Sequence, residues 1–264
     1  MVDRIDLESD FWVTLARHAP LGIVSDLDGT LLPFAETPEA ASPPPETLRL
    51  VEEVASLPGL KLVIVSGRSP QVLDQLFPAP RATALVAEHG AWRSGPLGWE
   101  PMLSVDARSL DALVSELASV QGRCSAMRLE RKTWSLTLHL RRVAAHEKMG
   151  VFVDATAIVD PWLAANPDFE DVAGDEVIEI RPRAARTSNA VEWIRGLLGP
   201  QARLLLAGDD LTDEDMFRVA GPGDATIRVG DAVGALTAAR WSLDSVDQVR
   251  AFLGWIVAMR RGAL

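Results

Sequence analysis

Three short stretches of the sequence gather reactive side chains around glycine: Asp26-Leu27-Asp28-Gly29-Thr30, Ser66-Gly67-Arg68, and Gly208-Asp209-Asp210-Leu211-Thr212-Asp213. If the chain leaves an extended segment at Asp26, Leu27 turns away while Asp26 and Asp28 face one pocket. Gly29 permits a tight turn and a close backbone approach. Four or five carboxylates on one edge would repel strongly, and a hard cation with oxygen ligands, such as Mg2+, fits them. The chemistry such a set suits is phosphoryl transfer. Asp26 would attack phosphorus and form an aspartyl-phosphate. Asp28 would protonate the leaving oxygen and then activate the hydrolytic water. Ser66 or Thr30 would hydrogen-bond a phosphate oxygen. Taken singly, an Asp-x-Asp is more often a turn or a helix cap, and Gly-Asp-Asp is ordinary loop chemistry. Their joint occurrence, each after an apolar run, is hard to explain as coincidence.

The elements that must position these residues follow from the pattern. Leu21 to Val24, Leu62 to Val65 and Ala84 to Ala87 read as buried strands. The first ends at Ser25-Asp26, the second at Ser66-Gly67 and the third at Glu88-His89-Gly90. A Pro-rich loop from Pro33 to Pro45 and helices over Glu46 to Leu57 and Ser69 to Phe77 lie between them, with Ser69 as N-cap and Pro70 at the first turn. This βαβαβ order predicts an α/β fold, a Rossmann-like parallel sheet in three layers, with ligands at the carboxyl ends of the strands. From Trp92 to Pro182 the pattern changes. Helices are expected over Asp106 to Val120 and Val143 to Ala155, and strands over Arg123 to Glu130, Thr133 to Arg141 and Glu176 to Ile180. That is an inserted α+β domain. The parallel pattern then resumes with Ser188 to Leu198 helical, Leu204 to Ala207 extended, Asp213 to Val219 helical and Thr226 to Val229 extended. Val246 to Met259 closes the chain as a helix. The expected domains are 1–104 and 184–264 for the core and 105–183 for the insert.

Composition narrows the classes. Apolar residues make up 48% of 264, so the chain can bury a core. A net charge of −11 argues against a nucleic-acid partner. Cys124 is the single cysteine, which excludes an internal disulfide and a cysteine-based zinc site. The chain lacks a signal-peptide pattern and an apolar run of membrane-spanning length, so a soluble, cytoplasmic monomer is expected. Lysine occurs only at Lys61, Lys132 and Lys148; all other side-chain cations are arginine.

At its acidic clusters the sequence resembles the haloacid dehalogenase superfamily of phosphatases. Asp26 to Leu31 is similar to the first motif of that superfamily, Ser66 to the second, and Gly208 to Glu214 to the fourth. More narrowly, Val65-Ser66-Gly67-Arg68, Ala87-Glu88-His89-Gly90-Ala91 and Gly208 to Phe217 resemble the trehalose-6-phosphate phosphatases, over Gly22 to about Val229. The insert resembles the larger cap type. Its Leu129-Glu130-Arg131-Lys132 and Leu138-His139-Leu140-Arg141 are similar to a family Glu-x-Lys and His-aromatic-Arg, with Leu140 in place of the aromatic. The resemblance implies a Mg2+-dependent enzyme with Asp26 and Asp28 catalytic and with Asp26, Asp28, Asp209 and Asp213 at the metal. It implies phosphate contacts from Thr30, Ser66 and Gly67. Arg68, Glu88, His89, Glu130, Lys132 and Glu179 would lie toward a sugar phosphate, under a cap that closes during the first step. His89 shapes its loop and His139 is structural in this reading. The family carries a lysine where this chain has Thr187, and the neighbouring Arg186 is expected to supply that charge to the phosphate. The expected reaction is hydrolysis of trehalose 6-phosphate. The alternatives are another sugar phosphate (sucrose phosphate, a glucosylglycerate phosphate or a pseudo-disaccharide phosphate) or a catalytically weak sugar-phosphate-binding regulator, which Thr187 favours. A phosphorylatable receiver domain fits poorly, given Asp28 and the long insert.

Overall fold

The apolar runs become strands that end where the acidic clusters begin. The computed structural model describes residues 2–33, 42–78, 81–174, 176–230 and 236–262. Most of the Pro-rich stretch from Pro33 to Pro45 lies outside them. In chain order, the first stretch holds β1 (Asp3–Arg4), α1 (Asp10–Arg17), β2 (Leu21–Asp26), α2 (Pro45–Ala55), β3 (Leu60–Val65), α3 (Pro70–Leu76), β4 (Ala84–Ala87), β5 (Trp92–Gly95) and β6 (Gly98–Pro101). Next come α4 (Ser109–Arg123), β7 (Arg128–Arg131), β8 (Leu136–His139), α5 (Ala145–Ala165), β9 (Phe169–Gly174) and β10 (Val177–Pro182). The last stretch holds α6 (Ser188–Leu198), β11 (Arg203–Gly208), α7 (Glu214–Arg218), β12 (Ala225–Val229), β13 (Trp241–Leu243) and α8 (Val246–Arg261). The chain divides into two units, Met1–Met102 with Arg186–Leu264, and Leu103–Ala185.

The first unit is a nine-stranded sheet in the order β1-β13-β12-β11-β2-β3-β4-β5-β6. It is parallel from β1 to β4, and β5 and β6 add an antiparallel edge. Strand β2 sits between β3 and β11, so the chain reverses direction of travel across the sheet beside it, the usual place for a ligand. Alternation along β2 explains the layers. Ile23 packs with Trp12, Val51, Val54 and Phe252 from α1, α2 and α8, whereas Val24 packs with Val191, Ile194 and Phe217 from α6 and α7. Both residues are fully buried, as a parallel strand covered on both faces requires. Ser69 caps α3, its hydroxyl accepting from the Val72 N–H at 3.4 Å.

The second unit is an antiparallel sheet in the order β7-β8-β10-β9, with one face packed on α4 and α5. Leu136, Leu138, Ile178 and Ile180 point into that core beside Leu113, Leu117 and Val159. Two expectations fail here. The segment Arg123 to Glu130 is not a single strand: α4 runs on to Arg123, because Leu113, Leu117 and Val120 keep helical spacing, and pairing starts only at Arg128. The helix expected to end at Ala155 continues through Pro161 to Ala165, since Val151, Ala155, Val159 and Trp162 share one buried face. Strand β9, whose Phe169 packs edge-to-face on Trp162 at 5.1 Å, carries too many polar residues to be read as extended.

Beneath β2, Trp12 meets Trp241 at 5.0 Å and Phe252 at 5.2 Å, both edge-on, and is 2% exposed. Truncation there leaves a large cavity under the strand that carries Asp26. Trp12→Ala is expected to cost about 3–5 kcal/mol in a denaturant titration.

Candidate active site

Burial against charge repulsion governs the edge of the sheet at the end of β2. Asp26, the last residue of that strand, shares the edge with Asp209, just past β11, and with Asp213. The three offer carboxylate oxygens that all lie within 4.8 Å of one another. Their approach depends on two missing side chains. A Cβ on Gly29, where φ is +90°, would stand 2.2 Å from the Asp209 carboxylate, and one on Gly208 would stand 2.3 Å from that of Asp213.

The loop after β11 is built around Asp213, which is 1% exposed. Its Oδ2 accepts from the Asp209 and Asp210 N–H groups at 2.9 and 3.0 Å. Asp210 completes a capping box with Asp213 and opens the short turn that leads into α7. Asp213 Oδ1 and Asp26 Oδ2 are buried and have no hydrogen-bond partner. Unpartnered buried oxygens on carboxylates are costly, and a bound cation is the simplest way to satisfy them.

The proton affinities state the same strain. Burial first, then the charges of Asp213, Asp209 and Asp28, push Asp26 well above the usual carboxylate range. Burial, with help from neighbouring Asp209 and Asp210, pushes Asp213 up to about 8 against the backbone N–H groups that pull it down. Asp209 is pushed up to about 6, mainly by burial and by Asp210, while hydrogen bonds to Thr30 and Asp26 and the charge of Arg228 pull it back. Such a set takes a hard divalent cation readily, because the cation replaces protons that the site otherwise has to hold.

Around the cluster, the expected residues fall into distinct arrangements. Thr30 is buried, and its hydroxyl donates to Asp209 Oδ1 at 3.2 Å. Ser66 is buried, with its N–H on the Val86 carbonyl and its Oγ accepting from the Arg68 N–H at 3.2 Å. Arg68, 8% exposed, makes a bidentate pair with Asp28 in which Nε and Nη2 each reach a carboxylate oxygen at 2.7 Å. The expected substrate contact is therefore bound to the expected acid/base. Gly67 lies against the His89 ring, where a Cβ would be 2.4 Å from Nε2. Glu88 and His89 both take left-handed backbone angles, φ +47° and +53°. Their N–H groups donate to the Arg68 and Ser66 carbonyls at 3.0 and 3.1 Å, folding this loop onto the one after β3.

Arg186 reaches Asp215 at 3.5 Å with a side chain 44% exposed. Thr187 is buried, and its hydroxyl donates to the Thr212 carbonyl at 2.7 Å, so a neutral hydrogen bond ties α6 to the acidic loop. Sequence reasoning missed Arg228. It follows Ile227 near the end of β12, donates to the Asp210 carbonyl at 3.0 Å and pairs with buried Glu214 at 3.7 Å. A strand-end arginine on the strand next to β11 was the available signal. Glu130, Lys132 and Glu179 belong to the second unit. There Lys132 Nζ and Ser135 Oγ donate to Glu179 Oε1 at 3.2 and 2.9 Å, and Glu130 meets His139 at 2.8 Å.

A model of the trehalose-phosphatase family matches residues 24–246. The chain belongs to that family. It is 31% identical over 238 residues to a Sinorhizobium fredii protein called "Probable trehalose-phosphate phosphatase", covering 89% of this chain and 85% of that one. Identity is also 31% over 234 residues to the trehalose-6-phosphate phosphatase of Escherichia coli, covering 88% and 84%. A bifunctional trehalose-6-phosphate synthase/phosphatase of Thermoproteus tenax is 29% identical over 85% of this chain, which spans only 30% of it. In fold, the C-terminal domain of a Candida albicans trehalose-6-phosphate phosphatase superposes with a TM-score of 0.82 over 98% of each chain, at 24% identity. The Aspergillus fumigatus enzyme gives 0.69 at 26% identity, over 97% of this chain and 99% of that one. The chain is a phosphatase. Among the described residues no helix is long and apolar enough to cross a membrane.

Because Asp213 holds its proton more tightly folded than unfolded, deprotonation penalises the metal-free fold as pH rises from about 4 to about 8. In EDTA, the thermal midpoint of the parent is expected to fall more steeply from pH 6 to pH 9 than that of Asp213→Asn. Adding Mg2+ should flatten the parent's curve and release protons, seen by calorimetry in buffers of different ionisation enthalpy.

Proposed function

We propose that the chain is a magnesium-dependent phosphatase that hydrolyses trehalose 6-phosphate to trehalose and phosphate, with Asp26 as nucleophile. The observation that supports this most is the buried Asp26–Asp209–Asp213 cluster at the strand ends, with its unpartnered oxygens, in a member of the trehalose-phosphatase family. Asp26, the Asp28 carbonyl and Asp209 would hold magnesium, with Asp213 as a further ligand or as support for the other two. When bound, the ion neutralises phosphate charge and aligns it with Asp26.

The side chains of this chain do the rest. An Asp26 oxygen attacks phosphorus, and the bond between phosphorus and the sugar oxygen breaks. The proton that Asp28 carries goes to that oxygen, which leaves as a sugar hydroxyl. Water then gives a proton to Asp28 and attacks phosphorus, restoring Asp26 as a carboxylate. In the first step Asp28 has to leave Arg68, and the incoming phosphate oxygens offer that guanidinium a new anionic partner. Ser66, Thr30 and the Gly67 backbone line the phosphate, and the loop of Glu88 and His89 keeps Ser66 and Arg68 in place. Glu130, Lys132 and Glu179 recognise the sugar hydroxyls, which need charged acceptors and donors held on a rigid surface.

The neutral Thr187 favours a second reading, in which the site binds the sugar phosphate and turns it over slowly. Arg186 is the nearest replacement for the charge that the family places there. A panel of trehalose 6-phosphate, sucrose 6-phosphate and other sugar phosphates assayed with Mg2+ should show selective release of phosphate from the first. Asp26→Asn should abolish it; retained activity sinks the assignment of the nucleophile. Arg186→Ala is expected to lower kcat on the order of tenfold or more, and Thr187→Lys to raise it. Unchanged kcat in Arg186→Ala would show that the arginine does not serve the phosphate.

A further inference from the structure

The polar face of the second unit has an order that its amphipathic pattern alone does not require. Along that face β7 presents Arg128 and Glu130, β8 presents Thr137 and His139, and β10 presents Glu179. In register, Thr137 lies opposite both Glu130 and Glu179, so the two glutamates are two strand spacings apart, roughly 10 Å. Strand β8 runs between them. Thr137, 5% exposed, donates to neither, since its Oγ1 is buried without a partner. Each glutamate is gripped instead by a residue at one end of β8, Glu179 by Ser135 and Glu130 by His139.

The Glu130–His139 contact is the more informative of the two. The His139 hydrogen bond is the largest influence holding Glu130 below the usual carboxylate range, with Lys132, the charge of His139 and Arg128 adding to it. An ionised carboxylate can only accept, so Nε2 of His139 carries the donated proton at 2.8 Å. The bond is made to Oε2, on which the Arg128 guanidinium also bears at 3.8 Å. Both side chains of the pair remain accessible, at 24% for His139 and 31% for Glu130. A partly exposed glutamate ordinarily samples several rotamers. Here it is fixed on one oxygen while the pair still faces solvent.

We propose that His139 is a positioning residue for sugar recognition: it fixes the Glu130 carboxylate so that a sugar hydroxyl can donate to it. This rests on the reading of Glu130 as a sugar contact given above. It predicts a defect in binding, not in chemistry, and one confined to substrates that carry the sugar. The test is steady-state kinetics of the parent, His139→Ala and His139→Gln on trehalose 6-phosphate and on p-nitrophenyl phosphate with Mg2+. In His139→Ala, KM for trehalose 6-phosphate is expected to rise about tenfold with kcat within about twofold. The ratio of kcat/KM for the sugar substrate to that for p-nitrophenyl phosphate should fall by the same factor. His139→Gln, whose amide can still donate, should recover most of it. An unchanged KM in His139→Ala overturns the proposal, as does an equal loss on both substrates or a glutamine variant no better than alanine. A parent that releases phosphate from p-nitrophenyl phosphate but not from trehalose 6-phosphate refutes the sugar reading instead, and this proposal with it.

Discussion

Crowding of carboxylates in a dry place is the constraint around which the first unit is arranged. Asp26, Asp209 and Asp213 are brought together where water cannot screen them, and each holds its proton far more tightly than an exposed aspartate does. A protein keeps such an arrangement only if something else over-determines it. Here β2 and β11 are neighbouring parallel strands inside a sheet covered on both faces, so the residues at their ends cannot drift apart. Two backbone N–H groups clamp Asp213, and glycines at 29 and 208 remove the atoms that would prop the acids apart. The sheet therefore supplies the stability that the site consumes.

A second consequence of this crowding is that Arg68 and Arg228 are already committed to acidic or carbonyl partners. Arg68 is matched to Asp28 by two short bonds, and Arg228 braces Asp210 and Glu214 from the strand next door. Positive charge near the acidic cluster thus comes from the loop after β3 and from β12, while position 187 holds a neutral threonine. In the second unit the logic differs. Glu130 and Glu179 stand two strand spacings apart across a sheet, and each is met by a donor: Glu130 by His139, and Glu179 by Ser135 and Lys132.

Much of the first unit was legible because its signals are local. Buried parallel strands are short apolar runs, and β2, β3, β4 and β11 were each placed to within about two residues at either end. The neighbourhood of Asp26 and Asp209 was legible for the same reason, since the ends of β2 and β11 put them on one edge, whereas Asp213 joins them through the turn that buries it. What escaped was non-local or masked by composition. Whether Arg68 faces a ligand or Asp28 depends on a loop that starts 40 residues away. Arg228 sits in an ordinary apolar strand and gains meaning only from its neighbour β11. In the second unit, β9 looks polar because its stability comes from pairing with β10 and from one aromatic, Phe169. The helix expected to end at Ala155 instead runs on through Pro161, because the buried face of Val151, Ala155, Val159 and Trp162 already fixes it on both sides of that proline.

The consecutive left-handed residues Glu88 and His89 bear on how this chain can change over time. Each sits in a conformation that glycine adopts at no steric cost and asparagine at little, so either replacement there relieves the backbone. A selection for heat resistance alone would be drawn to these two positions. Replacing His89 would also remove the ring that lies on Gly67, while the backbone N–H bonds from this turn to the Arg68 and Ser66 carbonyls would remain. Relief of the backbone and packing against Gly67 therefore pull in opposite directions at position 89.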